Sequence, residues 1–416
     1  MNHILFIMRH NNDIDHITPI IYKLEKENPS VIITILIYNV LETFEDDYRI
    51  QFLRTLRVNI IHVFDCLTNQ VIPINLYKKL IHISKVYARL NPIRILINRL
   101  FVLPGIKLLK KMILNIKLDN FFQKNFYKMP NIIVFDQAND PFYKKLCEFS
   151  LENNIVTIAV PHGHNIYANE MVWSNSMEIL PSPPTSFGFD SQYVVFENSI
   201  IAERYKRMGI VKEKQIRILG SSRFCDEWIN QLNEILPKET LPEPPSKILR
   251  VVILLTKTQF NINRSELLRT INFLSKFPDI YIIIKLHPRG GKRFTQSFPN
   301  NVRFVKNEFQ TPVLINWADI VLFTGSSAMI DCLKKDVPTL YMKNTHSNKL
   351  LSENYFHSWE VHCRDDLRDF IWKLKNDKNS RTYSVKDRDF YCRETIEPAG
   401  KDVLGNYVSM LLELLS

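Results

Sequence analysis

The chain has 416 residues, 45% of them hydrophobic and 23% charged, a composition typical of a globular protein that is too long for one hydrophobic core. Lys and Arg outnumber Asp and Glu by 54 to 43, so the net charge of +11 favours an anionic partner such as a membrane lipid, a nucleotide or a nucleic acid. The six cysteines form no CxxC pair, which argues against a zinc ribbon or a disulfide framework and favours a reducing compartment.

The first half of the chain alternates between strand and helix patterns. Residues 4–8 predict a strand rather than a signal peptide, residues 9–16 a polar loop, and residues 19–28 a helix with Pro19 in its first turn. Further strands are predicted at residues 31–38, 59–63, 132–135, 155–160, 193–197 and 216–219. Strands and helices that alternate in this way are typical of a parallel α/β sheet.

Residues 76–128 form a basic insertion in this pattern. The insertion contains twelve Lys and Arg residues but one acid, Asp119, and its apolar residues recur at roughly helical spacing. A basic amphipathic segment is typical of proteins that lie on anionic membrane surfaces, so we expect a peripheral membrane contact here. The alternative is a solvated helical insertion that packs on the sheet.

Polar side chains follow two of the predicted buried strands in this half. Asp136 and Asp140 come just after residues 132–135, at the edge where open α/β sheets bind their ligands. Residues 155–160 run into a Pro-His-Gly-His turn, in which His162 and His164 flank a glycine. Histidines titrate near neutral pH, so these two are candidates for acid–base chemistry.

A stiff, Pro-rich segment at residues 237–245 is interpreted as the boundary between two domains. The first domain then covers residues 1–236 and the second covers residues 246–395, while a final amphipathic helix within residues 396–416 is expected to pack back on the first domain. The second domain repeats the alternation, with strands predicted at residues 251–256, 281–286, 302–305, 320–323 and 338–342.

The first of two turns that suit a phosphate follows the strand at residues 281–286. There His287, Pro288 and Arg289 begin a run that also contains two glycines and two further cations. Arginine binds phosphate through two parallel hydrogen bonds, and glycine lets the backbone approach the ligand closely. We therefore expect a phosphate to bind at this turn.

The second such turn lies between the strand at residues 320–323 and a predicted helix. Its residues Gly325, Ser326 and Ser327 are small and hydroxylic, so backbone N–H groups and both hydroxyls suit one anion. A helix that begins there would add its dipole, which favours negative charge. The alternative is that Ser326 only caps this helix.

Four motifs occur in a fixed order, each after a predicted strand: the Pro-His-Gly-His turn, residues 193–228 with their Gly-Ser-Ser-Arg, the Lys-Leu-His-Pro-Arg of residues 285–289, and the Gly-Ser-Ser turn. In this order they resemble the bacterial GT-B transferases that use cytidine-activated donors. That group includes the CDP-glycerol glycerophosphotransferases of teichoic acid synthesis, the capsule polymerases and polysialyltransferases, and the capsule Kdo transferases. The resemblance covers about residues 132–342 and implies an α/β fold of two Rossmann-like domains that face one interdomain cleft.

The resemblance also implies a division of roles between the two domains. Donor nucleotide and phosphate are expected at the second domain and the hinge, at Arg223, His287, Pro288, Arg289, Gly325, Ser326 and Ser327. A general base for an acceptor hydroxyl is expected in the first domain, among Asp13, Asp15, His16, His162 and His164. If the enzyme retains configuration at the sugar, Asp136 or Asp140 would be the nucleophile.

The chain departs from the teichoic-type pattern in three turns. It has Thr324-Gly325 where that group usually has Asp-Tyr, His164-Asn165 where it has Thr-Pro, and Ser222 where it has Pro before the arginine. These departures favour a CMP-linked acidic sugar, such as Kdo or a sialic-type sugar, over CDP-glycerol as the donor.

Further expectations follow from the resemblance and from the absence of a DxD motif. We expect a metal-independent glycosyltransferase without a cofactor, which takes a nucleotide sugar and a glycan or glycolipid acceptor and does not bind nucleic acid. Its expected place is the cytoplasmic, inner face of a bacterial plasma membrane, in capsule or lipopolysaccharide biosynthesis.

Two other classes of protein compete with this interpretation. A UDP-sugar 2-epimerase of GT-B fold would have the same layout, although it would not need the basic insertion and would favour a Gly-Glu pair near the donor turn. A nucleic-acid-binding protein would account for the net charge, but the cations lack interleaved aromatic residues or a known module.

Overall fold

The structure is a computed structural model of the chain. It describes residues 2–39, 44–63, 66, 104, 107, 111, 114–168, 189–244, 248–256, 262–287, 297–305, 308–377 and 380–416. Within these ranges the strands form two sheets, of seven and five strands, and every strand pair in both is parallel. This confirms the predicted parallel α/β fold class.

The first sheet lies between helices that cover its two faces. Its strands are β1 (His3–Met8), β2 (Ile32–Ile37), β3 (Asn59–His62), β4 (Ile132–Asp136), β5 (Val156–Val160), β6 (Tyr193–Phe196) and β7 (Ile216–Ile218). The described helices of this part are α1 (Asn11–Glu27), α2 (Tyr48–Arg54), α3 (Leu118–Asn125), α4 (Pro141–Glu152), α5 (Ser199–Arg207) and α6 (Asp226–Ile235). Two buried clusters of apolar side chains, one on each face, form its core.

The order of strands in this sheet is β3-β2-β1-β4-β5-β6-β7. The chain therefore builds outward from β1 in one direction and then returns to add β4 on the other side. In open parallel sheets a ligand binds at such a switch point, outside the carboxyl ends of the strands. The carboxyl ends of β1 and β4 thus mark the first place to search for a site.

The second sheet has a similar reversal. Its strands are β8 (Leu249–Leu254), β9 (Ile280–Lys285), β10 (Val302–Val305), β11 (Ile320–Phe323) and β12 (Thr339–Tyr341), in the order β10-β9-β8-β11-β12. The helices that follow residue 248 are α7 (Arg264–Leu274), α8 (Thr311–Trp317), α9 (Met329–Lys334), α10 (Arg364–Asn376), α11 (Val385–Thr395) and α12 (Val403–Glu413). The switch point here lies between β8 and β11.

The final helix, α12, packs against α1 of the first sheet. Leu404 and Tyr407 are buried in the same apolar cluster as Ile17 of α1, and the hydroxyl of Tyr407 donates to the carbonyl oxygen of Gly220 at 3.0 Å. The last segment of the chain is therefore part of the core beneath the first sheet.

The prediction of a polar loop at residues 9–16 and of a helix that begins at Pro19 is wrong. Helix α1 begins at Asn11, and Pro19 lies in its interior. The carboxylate of Asp13 accepts hydrogen bonds from the N–H groups of Arg9 and His10, both at 2.8 Å. These bonds stabilise an earlier start, since the first N–H groups of a helix have no partner within it.

Most of the basic insertion at residues 76–128 lies outside the described residues. Lys107 and Lys111 are described and exposed. At the end of the insertion, helix α3 buries Leu118, Phe121 and Phe122 against the first sheet. The described helices include none that is both long and apolar enough to cross a membrane.

Candidate functional site

His162 lies at the switch point of the first sheet, between two buried carboxylates. Its Nδ1 atom is 2.9 Å from Oδ1 of Asp13 and 2.7 Å from Oδ2 of Asp136. His162 follows β5, Asp136 ends β4, and Asp13 lies in the first turn of α1 just after β1. Neither carboxylate is exposed, whereas 31% of the His162 side chain is exposed.

The two carboxylates set the charge of the His162 ring. Burial alone would lower the pKa of His162, but the hydrogen bonds to Asp13 and Asp136 outweigh burial and raise its pKa to about 9. The ring is therefore an imidazolium at neutral pH. Because Nδ1 faces the carboxylates, Nε2 on the opposite side of the ring faces away from them and can exchange a proton or a hydrogen bond with a ligand.

Two residues that the sequence patterns did not single out hold Asp136 in place. The guanidinium of Arg9 lies 3.0 Å from Asp136 and 3.0 Å from Asp140, and the hydroxyl of Tyr143 donates to Asp136 at 2.6 Å. Burial would raise the pKa of Asp136, but the His162 and Arg9 contacts lower it on balance. Asp136 is therefore a fixed, ionised carboxylate that orients His162.

The ligand atoms of Asp13, Asp136 and His162 lie within 4.8 Å of one another, close enough to surround one cation. A cation there would have to displace the Nδ1 proton of His162, which both carboxylates share. It would also lie beside the guanidinium of Arg9, 3.0 Å from Asp136. The three groups can therefore hold a proton or, once that proton is lost, a cation, and metal independence stays a prediction.

The candidates His16 and His164 lie in a separate, buried cluster around Glu197. Nδ1 of His164 is 2.9 Å and Nδ1 of His16 is 4.0 Å from the Glu197 carboxylate. At most 1% of either histidine side chain is exposed, and burial is the main reason that the pKa of His16 is lowered to about 3. In this arrangement both rings lie beside Glu197 and are shielded from solvent.

Arg223 lies between the two halves of the chain. Its guanidinium is 3.2 Å from Asp15 of α1 and 3.8 Å from Asp331 of α9, which follows the Gly-Ser-Ser turn. Asp15 also forms an ion pair with Arg49. Asp15 therefore links the domains through Arg223, and its carboxylate is shared by two guanidinium groups.

The Gly-Ser-Ser turn lies at the switch point of the second sheet, after β11. Gly325 has a φ of +109°, a backbone conformation that favours glycine. Among the described residues no acceptor is within hydrogen-bond range of the N–H groups of Gly325, Ser326 or Ser327. The Oγ atom of Ser326 accepts from the N–H of Ala328 at 3.4 Å, so this serine does cap the turn in part.

The helix after this turn adds a smaller dipole than the sequence indicated. Helix α9 begins at Met329 and has six residues, too few for a large dipole. Three consecutive N–H groups without a described partner are nevertheless an anion-binding arrangement in their own right. His287 follows β9 on the same edge of the sheet, and Pro288 and Arg289 lie outside the described residues.

A short segment of the first domain pairs with the second domain beside this turn. The N–H of Ala168 donates to Lys349 at 2.9 Å, and the N–H of Leu351 donates to Ile166 at 2.8 Å. Between them, the hydroxyl of Tyr167 lies 3.5 Å from the carbonyl oxygen of Gly325. The segment that follows His162 thus contacts the Gly-Ser-Ser turn and connects the carboxyl ends of the two sheets.

Comparison with solved structures identifies this two-domain arrangement. The chain is similar to a glycotransferase of kitacinnamycin, with a TM-score of 0.54 at 11% identity over 100% of this chain and 99% of that one. It is similar to a UDP-GlcNAc 2-epimerase from Neisseria meningitidis bound to UDP-GlcNAc, with a TM-score of 0.54 at 12% identity over 99% and 100%. A UDP-N-acetylglucosamine 2-epimerase from Rickettsia bellii gives a TM-score of 0.53 at 12% identity over 100% and 96%.

At such identities the likeness shows the fold alone. It is the GT-B fold of two Rossmann-like domains around a cleft, as the motifs predicted. No protein-family model matches the chain, and no curated protein sequence matches it significantly.

Proposed function

We propose that the chain is a glycosyltransferase that moves a sugar from a CMP-linked donor, of the Kdo or sialic type, to a surface-glycan acceptor. One observation carries the proposal: a partly exposed imidazole that two buried carboxylates hold in place lies at the switch point of the first sheet, and a turn whose three N–H groups have no partner among the described residues lies at that of the second. The first suits proton transfer and the second suits an anionic leaving group.

In the proposed reaction the donor phosphate binds at the turn of Gly325, Ser326 and Ser327. Negative charge gathers on this phosphate as the bond to the sugar breaks. The N–H groups of the turn, which have no partner among the described residues, stabilise that charge by hydrogen bonds to the phosphate. His287, which follows β9 on the same edge of the sheet, adds a further hydrogen bond.

His162 acts on the other side of the sugar, at Nε2. At neutral pH the ring is mainly an imidazolium, so the base is the minor neutral form, whose Nε2 accepts the proton of the acceptor hydroxyl as that oxygen attacks the sugar carbon. Asp13 and Asp136 then stabilise the imidazolium that forms, since both contact Nδ1. Asp136 has no exposed surface, so we assign it to positioning His162 rather than to attack on a sugar.

The remaining features of the proposal come from the sequence. The reaction uses no metal ion, and the basic insertion at residues 76–128 holds the enzyme on an anionic membrane surface, where a glycolipid acceptor is available. A CDP-glycerol-type glycerophosphotransferase would use His162 and the Gly-Ser-Ser turn in the same way, with a different donor.

A second candidate function is that of a UDP-sugar 2-epimerase. The fold likeness to the Neisseria meningitidis and Rickettsia bellii epimerases favours it. Such an enzyme would convert its UDP-sugar without an acceptor, so it would have no need for the basic insertion.

Nucleotide binding tests the proposal and separates these candidates. Purified protein is titrated calorimetrically with CMP, CDP and UDP. We expect CMP to bind more tightly than UDP, and Ser326→Ala to weaken CMP binding less than His287→Ala does, since the N–H groups of the turn remain. Preferential binding of UDP would favour the epimerase, and binding of none of the three would contradict both.

A further inference from the structure

His346 of the second domain has a buried ring nitrogen beside the Gly-Ser-Ser turn. The residue follows β12, and 4% of its surface is exposed. Its backbone pairs with that of Ile262, so its position is fixed. The Nε2 atom is buried and has no hydrogen-bond partner among the described residues. A buried polar atom without a partner destabilises a fold, so the position requires an explanation.

The contacts of the ring involve its other nitrogen. Nδ1 of His346 lies 3.0 Å from the hydroxyl oxygen of Tyr341, and that hydroxyl lies 3.3 Å from the carbonyl oxygen of Asn348, which can only accept. We assign the tautomer in which the hydroxyl donates its one proton to Asn348 and accepts from Nδ1–H of His346. In this tautomer of the neutral ring Nε2 has no hydrogen and is a pure acceptor.

This acceptor faces the Gly-Ser-Ser turn. A Cβ atom placed on Gly325 would lie 3.1 Å from Nε2 of His346 and 3.5 Å from the hydroxyl of Tyr167. The ring of Tyr167 stacks on that of His346, with centroids 5.9 Å apart and planes at 30°. The turn thus combines N–H donors that suit an anion with a neighbouring acceptor that has no partner among the described residues.

We propose that Nε2 of His346 is a specificity-determining acceptor for the donor nucleotide. It accepts a hydrogen bond from the amino group of cytosine or from a ribose hydroxyl, while the phosphate lies on the N–H groups of the turn. The proposal rests on the proposed function, because it takes this turn as the donor site. The Tyr167 ring stacks on that of His346, so Tyr167 lines the same site.

An acceptor at this position discriminates between nucleotides. Cytosine has an amino group where uracil has a carbonyl oxygen, and two acceptors cannot share a hydrogen bond. A site with a buried, unpaired polar group rejects a ligand that lacks the matching group more strongly than an apolar site does. The same reasoning holds for a ribose hydroxyl that is replaced by hydrogen.

The test is a calorimetric titration of CMP, UMP, 2′-deoxy-CMP and 3′-deoxy-CMP into the wild-type protein and His346→Asn. Asparagine keeps an N–H near the place of Nδ1 but has no atom at the place of Nε2. We expect the wild type to bind CMP on the order of 10-fold more tightly than at least one analogue, and this ratio to fall towards one in the variant. The analogue that shows the effect identifies the donor group.

Two further variants support the comparison. His346→Gln places an amide oxygen near the position of Nε2 and should retain part of the preference. His357→Asn, at an exposed histidine of the same domain, should behave like the wild type. Thermal unfolding of each variant confirms that it is folded.

The outcomes separate this inference from the function on which it rests. Failure of the wild type to bind any of these nucleotides would contradict the proposed function itself. If the wild type binds CMP but shows no preference over any analogue, or if His346→Asn keeps the wild-type ratios, only the role of His346 is overturned.

Discussion

Nδ1 of His162 lies 2.7 Å from the carboxylate of Asp136, a side chain with no exposed surface. This contact joins the carboxyl end of β5 to that of β4, its neighbour in the first sheet. A histidine held in this way has one free ring nitrogen with a defined direction and an altered pKa. The proposed acid–base chemistry depends on this pair.

The first prediction concerns the pH dependence of stability. The pKa of His162 is about 9 in the folded chain and about 6.5 in an unfolded one. Its stabilising contribution is therefore fully present below pH 6.5 or so and is lost as the pH rises through 9. We expect the stability difference between wild type and His162→Gln to shrink over this range in urea unfolding measured at several pH values.

A matched control for that experiment is His357→Gln, because His357 is exposed. The same measurement on this variant controls for the loss of a surface imidazole. A His162→Gln difference that stays constant from pH 6.5 to pH 9 or so would show that the two carboxylates do not hold a proton on the ring.

The second prediction concerns the buried carboxylate. Asp136→Asn removes a partner of His162 and leaves Arg9 with Asp140 alone, so we expect a loss of about 3 kcal/mol in the free energy of unfolding and a lower pKa for His162, measured by NMR titration. Asp140→Asn is the control, since Asp140 is partly exposed and does not contact His162. Equal effects of the two substitutions would contradict the assignment of Asp136 as the positioning residue.

How far the sequence predicts this site depends on the residue. Periodicity and strand ends were enough to predict the strands and to place His162 and Asp136 on one edge. They could not show that Asp13 lies in the first turn of helix α1, because the helix has Pro19 in its interior and the rule for proline indicated a later start. Nor could they show that His162 is partly exposed while His16 is buried, because that difference depends on packing between distant segments.

Arg9 could have been found from the sequence, because it directly follows β1 at the same edge. Tyr143 could not, since it lies inside α4, and only the tertiary structure brings its hydroxyl to Asp136. Nε2 of His346 has no sequence signal either, because its lack of a hydrogen-bond partner among the described residues depends on the tertiary structure.

The third prediction concerns the donor phosphate. His287→Ala should weaken CMP binding by about 1–3 kcal/mol, because it removes one hydrogen bond to the phosphate, while the melting temperature of the unliganded protein changes little. If His287 only stabilises the fold, the melting temperature will fall and CMP affinity, measured by calorimetry on the folded fraction, will not change.

The fourth prediction concerns the membrane. Charge reversal at Lys107, Lys110, Lys111 and Lys117 should release the protein from anionic vesicles, because each basic residue near the surface contributes about 1 kcal/mol. Vesicle sedimentation at low salt measures the effect, and circular dichroism checks that the fold is retained. Absence of wild-type binding to anionic vesicles would assign residues 76–128 to a solvated insertion.

The most direct test identifies the products that the protein forms from each candidate donor. Wild-type protein and His162→Ala are incubated with CMP-linked Kdo, a CMP-linked sialic acid, CDP-glycerol and UDP-GlcNAc, each with a glycan acceptor, and products are analysed by mass spectrometry. We expect release of CMP with sugar added to the acceptor, at a rate about 10²–10⁴-fold lower in His162→Ala, while both proteins bind CMP equally. Conversion of the UDP-sugar without transfer, or transfer that is unaffected by His162→Ala, would contradict the account.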